Sequence, residues 1–484
     1  MNIIATVDKK WGISKNGKIP WNIIEIEEFF NDITLKNHYA GKKIAIIMDS
    51  STFIQFGDKY RYVDIVISST LKDEDVLIYA TLDDAIKYCL ENQIECFIYG
   101  GVDIYMAALN TKYYAKKNYI KKIYITELDY DYECDVFFPE TELQRALIHS
   151  NKSYYKDFKL TDTNNSKKIN CCFCRHDFGL DESIVNKGES KYLDLLYNII
   201  TDGEFRSTRN ANTWSLFGKS LKFDLNKFPL LTTKSISFKA IFEELLFFLK
   251  GDTNVNHLSD KGVNIWNANT NRSFLDANGL KNYQEGDMGE MYGFNFRHYG
   301  AEYKGMDEDY TGKGFDQIEY ILKLLRNDPN SRRIIMTSFN PSTAHKGVLY
   351  PCHSIEFQFY VESDGKSGKK LSATVYNRSQ DMFLGNPYNI SSAALFVYLI
   401  CEIVNNTSTQ IYKLSPGKLT MFLGDVHLYE NHLKQSVRQI LREPFEFPEL
   451  KFKRKVTELT DFKFEDLTLE NYVRYPGIKA DMVA

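Results

Sequence analysis

Over its first 126 residues the chain alternates between two hydrophobic periods, and that alternation restricts the fold more than any other feature. Residues 2–7, 43–48, 63–68, 96–99 and 122–126 are short apolar runs rich in β-branched residues, which predict strands. Residues 23–34 and 82–91 carry apolar positions at helical spacing instead. Strands separated by helices predict an α/β domain with a largely parallel sheet. Residues 8–21 form a loop punctuated by Gly12 and Gly17. Tyr99-Gly100-Gly101-Val102 sets two glycines between a strand and a helix. Glycine there permits unusual backbone angles and close approach of a phosphate, although a lone Gly-Gly is more often a plain turn.

A last strand is expected at 168–178, closing a first domain over residues 1–178. Residues 179–190 are polar and read as a short tether, and a second domain runs over 191–484. That domain opens with an amphipathic helix at 192–201, ended by Gly203. A strongly apolar helix at 238–249 carries Glu243 and Glu244. A carboxylate there is costly unless it has a partner or a task, and for one of the two the plain reading is a solvated helix edge. With 484 residues, 43% hydrophobic and 26% charged, the chain can bury two or three cores. A net charge of -4 gives no global attraction to nucleic acid or anionic membrane, and neither is expected as a partner. Eight cysteines in a chain this long are not a disulfide scaffold. Cys171-Cys172-Phe173-Cys174 reads as a Cys-rich strand, since no second Cys or His pair follows at zinc spacing, so no metal is expected. Asp8, Lys9 and Lys10 interrupt the first apolar stretch, so it is not expected to be a signal peptide, and the longest apolar run, 393–404, is interrupted by Glu402 and is expected to be too short to span a bilayer. A reducing, cytoplasmic compartment follows as the expectation.

Chemistry is expected at Val348-Leu349-Tyr350-Pro351-Cys352-His353, just before an aromatic strand around 357–361. An arbitrary cysteine is most often a small buried hydrophobe. Here its company argues otherwise. Ser331-Arg332-Arg333 lies upstream, and Tyr376-Asn377-Arg378-Ser379-Gln380-Asp381 lies downstream. A thiol becomes a thiolate beside positive charge, and these segments can supply it.

From about Glu189 onward the chain resembles thymidylate synthase. The resemblance rests on ordered landmarks: Phe228-Pro229-Leu230-Leu231-Thr232-Thr233-Lys234, Ile265-Trp266-Asn267-Ala268-Asn269, Met291-Tyr292-Gly293-Phe294, Pro351-Cys352-His353 and Gly424-Asp425-Val426-His427. Trp11-Gly12-Ile13, Pro20-Trp21, Gly100-Gly101 and Asp135-Val136-Phe137-Phe138-Pro139 resemble dihydrofolate reductase, so the whole chain is similar to the bifunctional dihydrofolate reductase–thymidylate synthases. That implies a reductase-like sheet flanked by helices, followed by the α+β synthase fold. It implies reductive methylation of dUMP to dTMP with methylenetetrahydrofolate as co-substrate. Cys352 would be the nucleophile at C6 of uracil, with His353 beside it, Glu244 managing protons at the pyrimidine carbonyl, Tyr292 helping to remove the C5 proton, and Asn389 reading the base edge. Arg209, with Arg206 as the lesser candidate, would join Arg378 and the paired Arg332 and Arg333 around the phosphate. The pair would come from the other subunit of a homodimer. Asn377, Ser379, His427 and Tyr429 would complete the nucleotide site. Trp266, Asn269, Asp381, Leu384, Gly385 and Tyr388 would face the folate. Asn377, Tyr350 and Ser235 depart from the family's usual Gln, Pro and basic residue, but none of these changes removes a reacting group.

The reductase half departs at its chemistry. Aligned on Phe30, the family's acidic residue falls at Ile26; a one-residue slip puts Glu25 there instead. The cation-bearing cofactor loop is replaced by Asp49-Ser50-Ser51-Thr52, Ser69 offers no cation either, and the arginine for the folate carboxylate falls at Tyr62, with Arg61 one place off. Gly100, Gly101 and Thr126 remain of that site. Three readings stand: a synthase with a reductase domain of weak or no activity, for which NADPH is a doubtful cofactor; a fully bifunctional enzyme in which Glu25 or Glu27 replaces the acid; and a nucleotide- or folate-binding protein without turnover. The last is disfavoured because Cys352, Glu244, Tyr292, Asp381 and Asn389 are all present. A pyrimidine hydroxymethylase acting on dCMP would by resemblance carry an acid at the Asn389 position.

Overall fold

The computed structural model describes residues 1–56, 63–73, 76–114, 119–178, 186–208, 211–363, 365, 368–409 and 413–483. Tyr62, Arg61 and Arg209 lie outside the described residues, as does most of the expected tether. Contacts divide the chain into two units, Met1–Ile184 with Leu441–Glu443, and Val185–Ile440 with Pro444–Ala484.

In the first unit the sheet runs, in spatial order, Leu77–Tyr79, Val63–Ile67, Ile44–Asp49, Glu95–Ile98, Asn2–Val7, Lys122–Leu128, Lys167–Asp177 and Lys152–Asp162. The first six pair in parallel and the last two antiparallel, the largely parallel sheet that the alternation predicts. Ile24–Tyr39 is helical and five residues longer than the apolar spacing marked at its end. Cys171, Cys172 and Cys174 sit within the strand Lys167–Asp177. Arg442 closes a buried pair on Asp32 at 2.8 Å within this unit.

The second unit opens one turn before its expected start. Asn186 caps the helix Lys187–Asp202 by accepting from the Glu189 amide, so the last residues of the expected tether are helical. The buried Glu189 carboxylate then takes the backbone amides and hydroxyls of Thr232 and Thr233. A six-stranded sheet runs Glu204–Ser207, Asn212–Asp224, Leu414–Tyr429, Lys369–Asp381, Glu356–Ser363 and Ile335–Thr337. One face packs on the helix Gly385–Thr407, where Phe357 and Phe359 meet Phe396 at 5.6 and 5.7 Å between ring centroids. The helix extends well past the apolar run at 393–404 and is long and apolar enough to span a bilayer, yet 78% of its most apolar window is buried in the protein, as a core helix is. The opposite face alternates outward along each strand and leaves Ile335, Tyr360, Tyr376 and Phe422 exposed together.

Candidate functional sites

The carboxyl end of Lys369–Asp381 delivers Asn377, Arg378, Ser379, Gln380 and Asp381 in one run. The neighbouring strand brings His427 opposite Asp381. Cys352 reaches this place on the loop before Glu356–Ser363, held by its carbonyl to the Ser379 amide at 3.1 Å. Arg378 braces the same loop: Nε donates to the Pro351 carbonyl at 3.0 Å and Nη2 to that of Tyr350 at 3.2 Å. Its side chain is otherwise exposed. Asn377 is turned inward, and its Oδ1 accepts from the Ser354 amide at 2.7 Å. It therefore supports the nucleophile loop from beneath.

Tyr292 lies against the thiol, its hydroxyl 3.5 Å from Cys352 Sγ and accepting from the Cys352 amide at 3.3 Å. Tyr292 and Ser354 both hold positive φ, 42° and 50°, a conformation costing on the order of 1–3 kcal/mol per residue and found disproportionately at working sites. Burial raises the Cys352 pKa, while the Tyr292 hydroxyl and the Arg378 charge pull it back down. His353 stacks on Tyr292 at 4.5 Å between centroids, and burial lowers its pKa to about 4, so the ring is neutral near pH 7. Glu243 and Glu244 are both buried, and neither is a solvated helix edge. Glu243 is satisfied by Lys261 at 2.6 Å. Glu244 accepts from Trp266 Nε1 at 2.8 Å, and burial raises its pKa to about 7. Trp266 and Tyr292 are in turn 6.0 Å apart, which ties this carboxyl to the sulfur through two rings. Asn269 is buried on the turn after Trp266.

The Asp381 carboxylate takes the Phe383 and Leu384 amides, fixing the start of the helix that carries Gly385, Tyr388 and Asn389. His427 Nδ1 is 2.8 Å from Asp425, and Tyr429 packs on His427 at 5.2 Å. Arg332 and Arg333 stand exposed before the edge strand, and among the described residues neither guanidinium is paired. Arg206 is committed to Glu204 at 2.7 Å. Ser235 accepts from Arg474 Nε at 3.1 Å, which sets a cation beside the place where the sequence lacks one. Two buried amides escaped the sequence reading: Gln380 Oε1 accepts from both Asn386 at 2.8 Å and Asn389 at 3.1 Å. An amide, in a strand like Gln380 or at a helix start like Asn386, carries no pattern that marks its partners.

The first unit holds a cavity of about 420 Å³, walled by Ile4, Trp21, Ile26, Phe29, Phe30, Tyr99 and the Gly100-Gly101 turn. Ile26 and Phe30, one helical turn apart, both face it. Glu27 is at its wall and Glu25 is not, so helical phase favours the Phe30 alignment and leaves Glu27, not Glu25, as the nearest acid. Thr126 and Thr52 also line it, whereas Ser50 and Ser69 do not. Asp49 accepts from the Thr52 amide at 2.7 Å and Ser51 Oγ at 2.9 Å. A Cβ on Gly101 would come within 2.8 Å of its Oδ2, so the carboxylate occupies the gap above the glycine turn. Tyr105 locks that turn by accepting from the Gly100 amide and donating to the Ile4 carbonyl, each at 2.8 Å. Among the described residues the lining carries no lysine or arginine and two acids. Those described residues offer no cation to the phosphates of NADPH.

The chain matches the thymidylate synthase family over residues 190–484 and the dihydrofolate reductase family over residues 1–173. It is 33% identical over 516 residues to a bifunctional dihydrofolate reductase-thymidylate synthase of Arabidopsis thaliana, covering 99% of this chain and 87% of that protein. The corresponding protein of Paramecium tetraurelia is 33% identical over 498 residues, covering 99% of this chain and 98% of that one. That of Plasmodium berghei is 36% identical over 484 residues, covering 87% and 79%.

Proposed function

Because the chain belongs to the bifunctional dihydrofolate reductase–thymidylate synthase family, a methyltransferase with dUMP and folate as its substrates, we propose that it forms dTMP at Cys352 and that its amino-terminal cavity reduces dihydrofolate with NADPH weakly or not at all. The observation that carries the synthase assignment is the Cys352 sulfur 3.5 Å from the Tyr292 hydroxyl, on a loop that Arg378 braces through the Pro351 and Tyr350 carbonyls. Once deprotonated, the sulfur adds to C6 of uracil and leaves a nucleophilic carbon at C5. Glu244, with a pKa of about 7, can both lend and take a proton near neutral pH, as exchange at the pyrimidine carbonyl requires. Tyr292 serves the C5 proton. Neutral His353 stacks behind it and holds the ring.

Asn389 reads the base edge, His427 and Tyr429 take the ribose, and the outer edge of Arg378 takes the phosphate with Arg209, while Ser379 joins through its place beside Cys352. Trp266, Asn269, Asp381, Leu384, Gly385 and Tyr388 form the folate side, with methylenetetrahydrofolate as the co-substrate. Arg332 and Arg333 act on the other subunit's phosphate in a homodimer, which the exposed row of Ile335, Tyr360, Tyr376 and Phe422 beside them supports. In the first unit Ile26 offers no carboxyl and Asp49 no cation, which supports loss of the reductase step. Eight free cysteines suit a reducing cytoplasm.

The test is covalent trapping. With methylenetetrahydrofolate present, 5-fluoro-dUMP should add its mass to the peptide bearing Cys352, and Cys352→Ala should bind dUMP yet trap nothing. An adduct on any other peptide rules out the assignment.

A further inference from the structure

We propose that Gln380 sets the orientation of the Asn389 amide and thereby enforces selection of uracil over cytosine. This rests on Asn389 reading the base and on nothing else in the functional assignment. Gln380 is 2% exposed, deep beneath the ring-binding end of its strand. Its own amide cannot turn freely, because Nε2 donates to the Ser379 backbone carbonyl at 3.0 Å, and a carbonyl can only accept. That bond points Oε1 the other way, where it accepts from Asn386 Nδ2 at 2.8 Å and Asn389 Nδ2 at 3.1 Å. The polarity of a fixed backbone carbonyl is thus relayed through one side chain to two others.

The consequence falls on Asn389, which is half-buried near the start of its helix. With one N–H committed to Gln380, the amide keeps one N–H and its oxygen for a ring edge. Uracil presents N3–H as a donor beside the O4 acceptor, which matches an oxygen beside an N–H. Cytosine presents an N3 acceptor beside an amino donor and needs the amide reversed. Reversal would set Asn389 Oδ1 against Gln380 Oε1, two acceptors at the present 3.1 Å separation with no proton between them. A buried acceptor facing an acceptor loses its hydrogen bond and gains repulsion. Asn386, itself fully buried, spends its amide on the same oxygen and leaves its own Oδ1 without a partner among the described residues. An arrangement that tolerates an orphan oxygen to fill one acceptor is built around that acceptor.

The experiment measures dUMP and dCMP binding by calorimetry on the full chain, wild type against Gln380→Met and Gln380→Glu. Methionine keeps the volume and removes the acceptor. The dUMP/dCMP affinity ratio should fall roughly five- to ten-fold, the worth of one buried hydrogen bond. A protonated glutamic acid keeps a donor toward Ser379 and an acceptor toward Asn389, and should restore the wild-type ratio. A purely structural role would weaken both nucleotides together or lower the melting temperature with the ratio unchanged, and either result overturns the proposal. So does a lost ratio in Gln380→Glu, which would make packing the cause. If Gln380→Met does not fold, the same ratio is read on Gln380→Ser, whose hydroxyl is too short to reach Asn389. A wild-type protein that binds dCMP as well as dUMP would instead overturn the base-reading role of Asn389 itself.

Discussion

The two halves of this chain enclose their sites with opposite electrostatics. Around Cys352 an arginine braces the nucleophile loop and keeps its outer edge exposed, two more stand exposed at the sheet edge, unpaired among the described residues, and the buried acid is tuned to about 7. Around the cavity of the first unit, the described lining offers apolar walls, hydroxyls and two carboxylates, one of them pressed onto the glycine turn where a helix begins. Both folds persist. The difference teaches that the residues holding a fold and those holding a reaction are separable. Trp21, Tyr105 and the Gly100-Gly101 turn still pack and bond as structural parts, while Ile26 brings no carboxyl to the cavity and Asp49 brings an acid where a cation would meet a phosphate.

The contrast is broken most severely at Glu244. Glu244→Gln keeps an acceptor for Trp266 but removes the titrating proton, and kcat for dTMP should fall about 10²- to 10⁴-fold. Its stability should move the other way. Burial raises the folded pKa to about 7, above the ordinary carboxyl value of 4.5, so between those pH values the native state binds more protons than the unfolded one. Wild-type stability therefore declines as pH rises from about 4.5 to 7, by on the order of 3 kcal/mol from this group. Glu244→Gln should lack that decline and melt higher than wild type at pH 8. A variant that is inactive but no more stable at pH 8 would mean that the carboxyl is not held protonated by burial.

A smaller effect is expected at the paired arginines. Cys352→Ser protein mixed in equal amounts with Arg332→Ala/Arg333→Ala protein should recover up to about a quarter of wild-type activity, because half the dimers are mixed and each has one site with both parts. No recovery after demonstrated subunit exchange would confine the arginines to their own subunit's site, and the exposed sheet face would need another explanation.

The parallel sheet, the cysteine's company and the Glu244 helix were legible in the sequence because each leaves a periodic or clustered mark. The strand Lys152–Asp162 was not, since an edge strand whose outward positions are exposed lacks an apolar run. Glu25 and Glu27 could not be separated by spacing alone; their phase on the helix Ile24–Tyr39 decides it. Gln380 and Asn386 were invisible for a different reason. Gln380 lies inside the run that marks the site, but nothing in residue type or spacing announces which side chains an amide will meet, and only the distances reveal that one oxygen serves both.

The contrast between the halves is tested most directly by one purified protein assayed two ways under the same conditions: dTMP formed from dUMP and methylenetetrahydrofolate, and NADPH oxidised with dihydrofolate. The account predicts robust dTMP formation that Cys352→Ser abolishes, together with NADPH oxidation no faster than in buffer. Robust NADPH oxidation that disappears in Glu27→Gln would contradict it, because the acid at the cavity wall would then be doing the work that Ile26 cannot.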